Sequence, residues 1–275
     1  MGNILDLLIE PFFIRAVLAI LFSSIATLPV VFSNFRGLGY LPAEVSHAAL
    51  AGAAIGIFLG SILDLQLDPV IFALAFTLVT IFLIARAGER STTHEMSIVM
   101  GSVLALSVAI YAVLKGSGSS GIAARIDGFL VGDLLLLTWT DIGLLGFFST
   151  VTLFAILLFR KEFPYIAFDP EGASQMGLNV RLYSYFLFSL IAASGVIVAR
   201  TMGALLVHAA IIPPAALASI VTKKLDKMLL ASFAIAFSAG IFGLGLSALV
   251  NVPSSGTIAL ASSLIYIIAL LMKSD

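Results

Sequence analysis

Segments of about 20 apolar residues, separated by short polar links, repeat along almost the whole of this sequence. A helix of that length crosses the hydrocarbon core of a bilayer and satisfies all of its backbone polar groups internally. Only 11% of the 275 residues are charged, whereas soluble domains carry about 25%. The pattern predicts an all-α polytopic membrane protein with eight or nine transmembrane helices, in a single domain over residues 1–275. The predicted spans are 12–33, 42–63, 69–86, 95–114, 139–159, 182–199, 203–221, 228–250 and 255–272.

The basic residues are unevenly shared between the links. Ten of the fourteen Lys and Arg residues lie in alternate links, and the positive-inside rule places these links in the cytoplasm. The N-terminus is then expected outside and the C-terminus inside. The ten residues are Arg36, Arg86, Arg90, Arg160, Lys161, Arg181, Lys223, Lys224, Lys227 and Lys273.

Composition and missing motifs exclude several functions. A net charge of −1 argues against a nucleic-acid partner. Because the chain has no cysteine, disulfides, thiolate ligands and cysteine nucleophiles are excluded. Residues 115–121 (KGSGSSG) lack the Lys-Ser or Lys-Thr ending of a phosphate loop and read as a flexible turn, so any ATP must be hydrolysed by a separate polypeptide. No HExxH motif is present either, and we predict neither an enzyme nor a covalently bound cofactor.

An acidic residue and a histidine stand at the front of the second apolar segment. Glu44 and His47 are three apart, so they share one face of a helix. An ionisable group inside an apolar span costs about 2.5–3.5 kcal/mol on insertion scales, so it usually faces a cavity or a partner. We interpret the pair as metal ligands; the alternative is that Glu44 lies among headgroups and His47 is merely hydrogen-bonded. A row of small residues on the same face predicts close helix packing: Ala48, Gly52, Gly56 and Gly60.

Residues 128–140 (GFLVGDLLLLTWT) are too short to span the membrane. A half-helix over 131–137, with Asp133 near its start, would bring a carboxylate to membrane depth, where it is a further candidate metal ligand. An interfacial helix with Asp133 among headgroups explains the same residues equally well.

The span over 203–221 holds a histidine and two prolines. His208 lies about one turn before Pro213 and Pro214, and a proline removes a backbone hydrogen bond from a helix interior. We therefore predict that the two prolines bend or break the helix, at the depth where transporters place their binding sites. His208 is a candidate ligand beside this break; the alternative is a packed, hydrogen-bonded side chain.

The link over 160–181 contains the signals of a short capped helix. Asp169 is a candidate N-cap, Pro170 occupies the first helical position, and Glu171 complements the positive end of the helix dipole. Gly177 ends the helix. Exposed apolar residues on a cytoplasmic helix favour docking to another protein, although a plain connector also uses such caps. The apolar residues are Phe168, Met176 and Leu178.

Four stretches, in this order and spacing, make the chain resemble the integral-membrane permease subunits of ATP-binding-cassette importers for zinc, manganese and iron. The resemblance runs from about residue 30 to residue 272. It departs at Ala43, where the family carries an aspartate, and at His208, where the family usually carries a small or hydroxyl residue. The stretches are residues 46–52 (SHAALAG), 132–135 (GDLL), 169–178 (DPEGASQMGL) and 203–218, whose Pro214-Ala215-Ala216 matches the family's Pro-Ala-Ala.

This resemblance implies a homodimeric permease in the plasma membrane of a prokaryote. The permease would receive a metal ion from an extracytoplasmic binding protein and be driven by cytoplasmic ATP-binding subunits, which grip the helix over 169–178. A secondary transporter or channel for metal ions, with no ATPase partner, is the alternative function. The expected metal ligands are Glu44, His47, His208 and Asp133. Because His208 lies near the outer end of its span and His47 near the inner end of its own, straight helices predict two separate stations on the route, whereas a broken second span would bring the two histidines together.

Overall fold

The computed structural model describes residues 10–66, 68–88, 93–132 and 134–272, and within these ranges it contains α-helices, one 3₁₀ turn and no strand. The all-α prediction is confirmed. The helices are α1 (Pro11–Ile25), α2 (Thr27–Phe35), α3 (Leu41–Ile62), α4 (Pro69–Gly88), α5 (Thr93–Ser117), α6 (Ser120–Val131), α7 (Trp139–Leu158), α8 (Glu162–Phe168), α9 (Pro170–Gln175), α10 (Val180–Met202), α11 (Ala204–Val221), α12 (Leu225–Val250) and α13 (Ser254–Met272), with the 3₁₀ turn at Leu134–Leu136.

Eight helical segments in the described part of the chain are long and apolar enough to cross a membrane. The first of them, Pro11–Phe35, combines α1 and α2, which meet at Ala26. The others are α3, α4, α5, α7, α10, α12 and α13. The predicted span over 203–221 corresponds to α11, which is shorter. The predicted count of eight or nine is therefore confirmed.

Links that the sequence assigns to the same side of the membrane contact each other. Arg160 Nη2 lies 3.2 Å from Asp226 Oδ1, and both residues belong to links predicted in the cytoplasm. Arg200 Nη1 lies 3.2 Å from Asp68 Oδ2, and both belong to links predicted outside. This pairing agrees with the predicted alternation of the spans.

Helix α3 occupies the centre of the bundle, where it packs against α4, α5, α10 and α11. Its row of small residues explains how α4 approaches so closely. A Cβ added to Gly52 would lie 2.5 Å from the carbonyl oxygen of Phe72, and one added to Gly56 would lie 2.8 Å from the Phe72 ring. Ala48 is fully buried, and Gly60 is half-buried. The structure thus places the middle of the row against α4.

Gly52→Leu should therefore lower the free energy of unfolding by about 1–3 kcal/mol, since the new side chain would overpack a contact with backbone, which cannot rotate away. The matched control is Gly101→Leu on α5, where an added Cβ meets no atom within 4 Å. Thermal unfolding of both variants in detergent measures the difference. Equal stability of the two variants would place this face of α3 against lipid.

The predicted helix break and the predicted half-helix lie at other positions in the structure. Helix α11 runs without interruption through Pro213 and Pro214, so the predicted break there is wrong. Each proline removes one hydrogen bond, but the remaining bonds and the neighbouring helices keep the helix continuous. The chain breaks instead at Gly203, between α10 and α11, where φ is +86°. The predicted half-helix over 131–137 is also displaced: the short helix is α6, and only a 3₁₀ turn follows it.

Candidate functional site

Two histidines from different helices meet inside the bundle. His47 lies in the second turn of α3 and His208 in the second turn of α11. Their ring centroids are 6.0 Å apart, and their planes differ by 22°. Both residues are half-buried. Imidazole is a common ligand of transition metals, so this pair is the strongest candidate site in the described structure.

A backbone hydrogen bond fixes the chemistry of the His47 ring. Its Nδ1 lies 2.8 Å from the carbonyl oxygen of Ala43, one turn earlier on α3. Because a carbonyl oxygen only accepts, Nδ1 must carry the proton. The lone pair of the neutral ring is then on Nε2, where it is available to a metal ion.

Two further polar atoms near the front of these helices lack partners. His208 Nδ1 and Glu44 Oε2 are buried and form no hydrogen bond with any residue that the structure describes. Glu44 is only 7% exposed, so it does not lie among headgroups as the alternative interpretation proposed. Buried polar groups are normally satisfied, and an unsatisfied one requires an explanation such as a missing ion or water. A transported cation would supply a partner to each.

The expectation of two separate stations is wrong, because the front of α3 lies level with the second half of α10 and not with its start. Val45, in its first turns, packs against Gly195 of α10. Gly195 lies 15 residues after the start of α10 at Val180, or about 22 Å along a helix. The front of α3 is therefore deep in the bundle, at a depth that His208 also reaches on its way inward from Gly203.

Among the described residues, the predicted metal ligands do not form one complete site. Within the described ranges, no three His, Asp or Glu side chains form a group arranged to hold a metal ion. His47 and His208 are together, and Glu44 is buried on the same helix as His47. Asp133, the fourth predicted ligand, lies outside the described residues.

The sequence did not predict a backbone contact that lies beside this site. Gly132, with φ +46°, and Gly203, with φ +86°, lie against each other's backbone, so a Cβ on either would overlap the other segment. Ser255 Oγ of α13 donates to the carbonyl oxygens of Val131 and Gly132, at 3.3 and 3.1 Å. The end of α6 is thereby fixed to the α10–α11 junction. Both glycines belong to recognised motifs, but their pairing has no local sequence signal.

A charged cluster ties three helix ends together near the same junction, and sequence reasoning did not identify it. Arg200, at the end of α10, donates from Nε to Asp141 Oδ1 at 2.8 Å and from Nη1 to both oxygens of Asp68 at 3.2 Å. Asp141 also forms a capping box with Thr138 at the start of α7. The cluster holds the starts of α4 and α7 against the end of α10.

The short helix predicted over 169–178 is present as α9. Asp169 Oδ1 accepts a hydrogen bond from the backbone N–H of Gly172 at 2.9 Å, and Pro170 occupies the first position. Gly177 adopts φ +85° after the last turn. These are the N-cap, first-turn proline and terminating glycine that the sequence predicted.

Two of the three apolar residues around α9 that were predicted to be exposed are exposed. Phe168 and Met176 are 62% and 72% exposed. Leu178 was predicted to be exposed but is half-buried and packs on the core. Its backbone N–H donates to the carbonyl oxygen of Ala173 at 3.0 Å, which turns the chain back towards the bundle. Helix α8, which precedes α9, was not predicted.

A cavity of about 320 Å³ is lined by residues of α4, α5, α9 and α10 and by Arg36. Arg36, directly after α2, donates from Nη1 to Ser184 Oγ at 2.8 Å and stacks over the Phe188 ring. Burial lowers the pKa of the Arg36 guanidinium from its ordinary value. Pro170 of α9 lines the same cavity.

The helical spans define a polytopic membrane protein that holds a half-buried pair of histidines inside the bundle. The chain belongs to the ABC 3 transport family, whose sequence profile matches residues 10–273. The resemblance drawn from the four motifs is therefore confirmed.

Individual relatives support the same assignment. The chain is 29% identical over 240 residues to "Manganese transport system membrane protein MntC" of Listeria monocytogenes, covering 87% of this chain and 82% of the relative. It is 27% identical over 258 residues to "High-affinity zinc uptake system membrane protein ZnuB" of Haemophilus influenzae, covering 91% and 93%. Among solved structures, "PsaBC from Streptococcus pneumoniae in complex with Fab" matches with a TM-score of 0.78 at 27% identity, covering 97% of this chain and 93% of that one.

Proposed function

We propose that this chain is the membrane permease subunit of an ATP-driven importer that moves a divalent metal ion into the cytoplasm. The observation that carries the proposal is the His47–His208 pair inside a chain of the ABC 3 transport family. Relatives named for manganese and zinc transport support the cargo class. In the working assembly, two copies of the chain bind cytoplasmic ATP-binding subunits and an extracytoplasmic metal-binding protein.

The proposed route passes through the centre of the bundle. A divalent ion must exchange hydration water for protein ligands when it enters an apolar membrane. His47 Nε2 supplies the central ligand, with His208 on the facing helix. Glu44 and Asp133 add carboxylate oxygen along the route, which balances the charge of the ion. The residues act as ligands to the cargo, and none is catalytic.

The proposed orientation places α9 and the Arg160–Asp226 pair in the cytoplasm, with the N-terminus outside and the C-terminus inside. The excess of basic residues in these links supports this sidedness. ATP is hydrolysed by the separate subunits that dock on α9. A secondary transporter or channel remains the second candidate function, but it gives no role to a capped helix with exposed Phe168 and Met176.

Docking of the ATP-binding subunits gives a direct test. Gly177→Glu should weaken co-purification with these subunits, because the position is open to solvent and the new charge would stand at the end of α9. The positive φ at Gly177 adds strain to this variant. Gly177→Asn is the matched control, since asparagine tolerates the left-handed conformation and adds no charge.

The expected result is loss of ATP-binding subunits from the purified Gly177→Glu complex and their retention in Gly177→Asn. Both variants should still insert in the membrane, which size-exclusion chromatography in detergent verifies. Full recovery of the subunits with Gly177→Glu, together with unchanged metal-coupled ATP hydrolysis, would remove α9 from the docking surface.

A further inference from the structure

We infer that His47 and His208 form a two-imidazole station that favours a nitrogen-preferring ion of the zinc class over manganese. The inference rests on the proposed metal-import function and adds the class of ion. The juxtaposition of two imidazole rings from α3 and α11, 6.0 Å apart between centroids, carries it.

The separation of the rings suits a shared ion. A zinc ion bonds to imidazole nitrogen at about 2.0–2.1 Å, so two rings that share an ion have centroids no more than about 6.4 Å apart. The observed 6.0 Å lies within that limit. The rings lie nearly parallel, with planes 22° apart, so a shared ion requires the side chains to rotate until one nitrogen of each ring faces it.

The available lone pairs point to the same conclusion. The hydrogen bond from His47 Nδ1 to Ala43 leaves Nε2 as the metal-binding atom of that ring. His208 Nδ1 is buried and forms no hydrogen bond to the described residues, so nothing in that part of the chain competes with an ion for it. His47 belongs to the stretch that matches the family, whereas His208 adds a second nitrogen donor where the family usually carries a small or hydroxyl residue, and Ala43 replaces the family's aspartate.

This exchange of donors changes which ion the station prefers. Carboxylate, carbonyl and water oxygen suit manganese, whereas imidazole suits zinc, and nitrogen sites bind manganese most weakly among the divalent first-row ions. In the described residues no carboxylate joins the two histidines in a group of three. The remaining coordination positions are then filled by water or by the carboxylates of the proposed route. Such a site is weaker than the four-ligand sites that hold structural zinc, as transport requires, because the ion must also leave.

The test is metal binding by the purified complex of the permease with its ATP-binding subunits, titrated with zinc or with manganese. The extracytoplasmic binding protein is omitted, since it would impose its own selectivity. We expect the wild-type complex to bind zinc at least about tenfold more tightly than manganese. His208→Ser should reduce zinc affinity by about 10–100-fold while changing manganese affinity by less than about threefold. His208→Asp should raise manganese affinity relative to zinc, because it replaces a nitrogen donor with a carboxylate.

The matched control is His94→Ser, which removes the remaining histidine of the chain and should leave both affinities unchanged. Thermal unfolding and size-exclusion chromatography verify each variant, and His208→Asn replaces His208→Ser should that variant fail to fold. Equal changes in zinc and manganese affinity, or no change in either, would overturn the inference while the proposed import function stands. Absence of uptake of every divalent ion by the wild-type complex, supplied with ATP and with its extracytoplasmic binding protein, would instead overturn the proposed function.

Discussion

His47→Ala should reduce ATP-driven uptake of divalent metal by at least about tenfold, because it removes the nitrogen donor at the centre of the proposed route. The ring is held by its hydrogen bond to Ala43 and lies 6.0 Å from His208, so alanine leaves an opening where the ion exchanges water for protein. Uptake of radiolabelled zinc into vesicles that contain the reconstituted complex measures the effect.

The matched control for this variant is Ser46→Ala on the same turn of α3. Ser46 is buried, and its hydroxyl donates to the carbonyl oxygen of Ala43, so its loss tests whether disturbing that turn is enough to stop transport. Each variant must retain its ATP-binding subunits. Wild-type uptake by the His47→Ala complex would exclude His47 from the route.

Gly203→Ala should lower the free energy of unfolding by about 2–6 kcal/mol, the largest stability effect that we expect in this chain. The added Cβ would overlap the backbone of Val131, and the φ of +86° is strained for any residue with a side chain. The strain and the overpacking each contribute about 1–3 kcal/mol.

Gly256→Ala on α13 is the control for this prediction, since an added Cβ there meets no atom within 4 Å. Thermal unfolding in detergent compares the two variants. A Gly203→Ala protein as stable as the control would mean that the contact between Gly132 and Gly203 does not hold the α10–α11 junction in place.

Most of the fold could be predicted because apolar length alone specifies a transmembrane helix. Helix α9 was predicted from local signals as well: Asp169 and Pro170 act on the backbone within one turn of themselves. The close approach of α4 to Gly52 follows from the same kind of reasoning, because a residue without a side chain leaves room for a neighbour.

The tertiary arrangement of the site could not be predicted in the same way. Counting residues from the ends of the spans placed His47 and His208 at different depths, because that count assumes that every span begins at a membrane surface. Helix α3 begins deep in the bundle instead, and only the contact between Val45 and Gly195 reveals that depth. The break at Gly203 likewise depends on its partner Gly132, more than 70 residues earlier in the chain.

The helix α8 was missed for a local reason. Pro164 lies near its start, and a proline within an apolar stretch reads as an interruption unless the first turn of a helix is already recognised. The Arg200 cluster was missed because its partners lie far apart in the chain, Asp68 just before α4 and Asp141 in the first turn of α7, and no sequence periodicity brings them together.

The most direct test of the proposed function is metal accumulation in vesicles that contain the permease with its ATP-binding subunits, supplied with radiolabelled zinc. We predict that zinc accumulates above its external concentration only when ATP is hydrolysed, and that ATP-binding subunits with an inactivated hydrolytic site abolish this accumulation. Zinc flux that proceeds at the same rate without ATP and only down its gradient would contradict the proposal and identify the chain as a channel or secondary transporter.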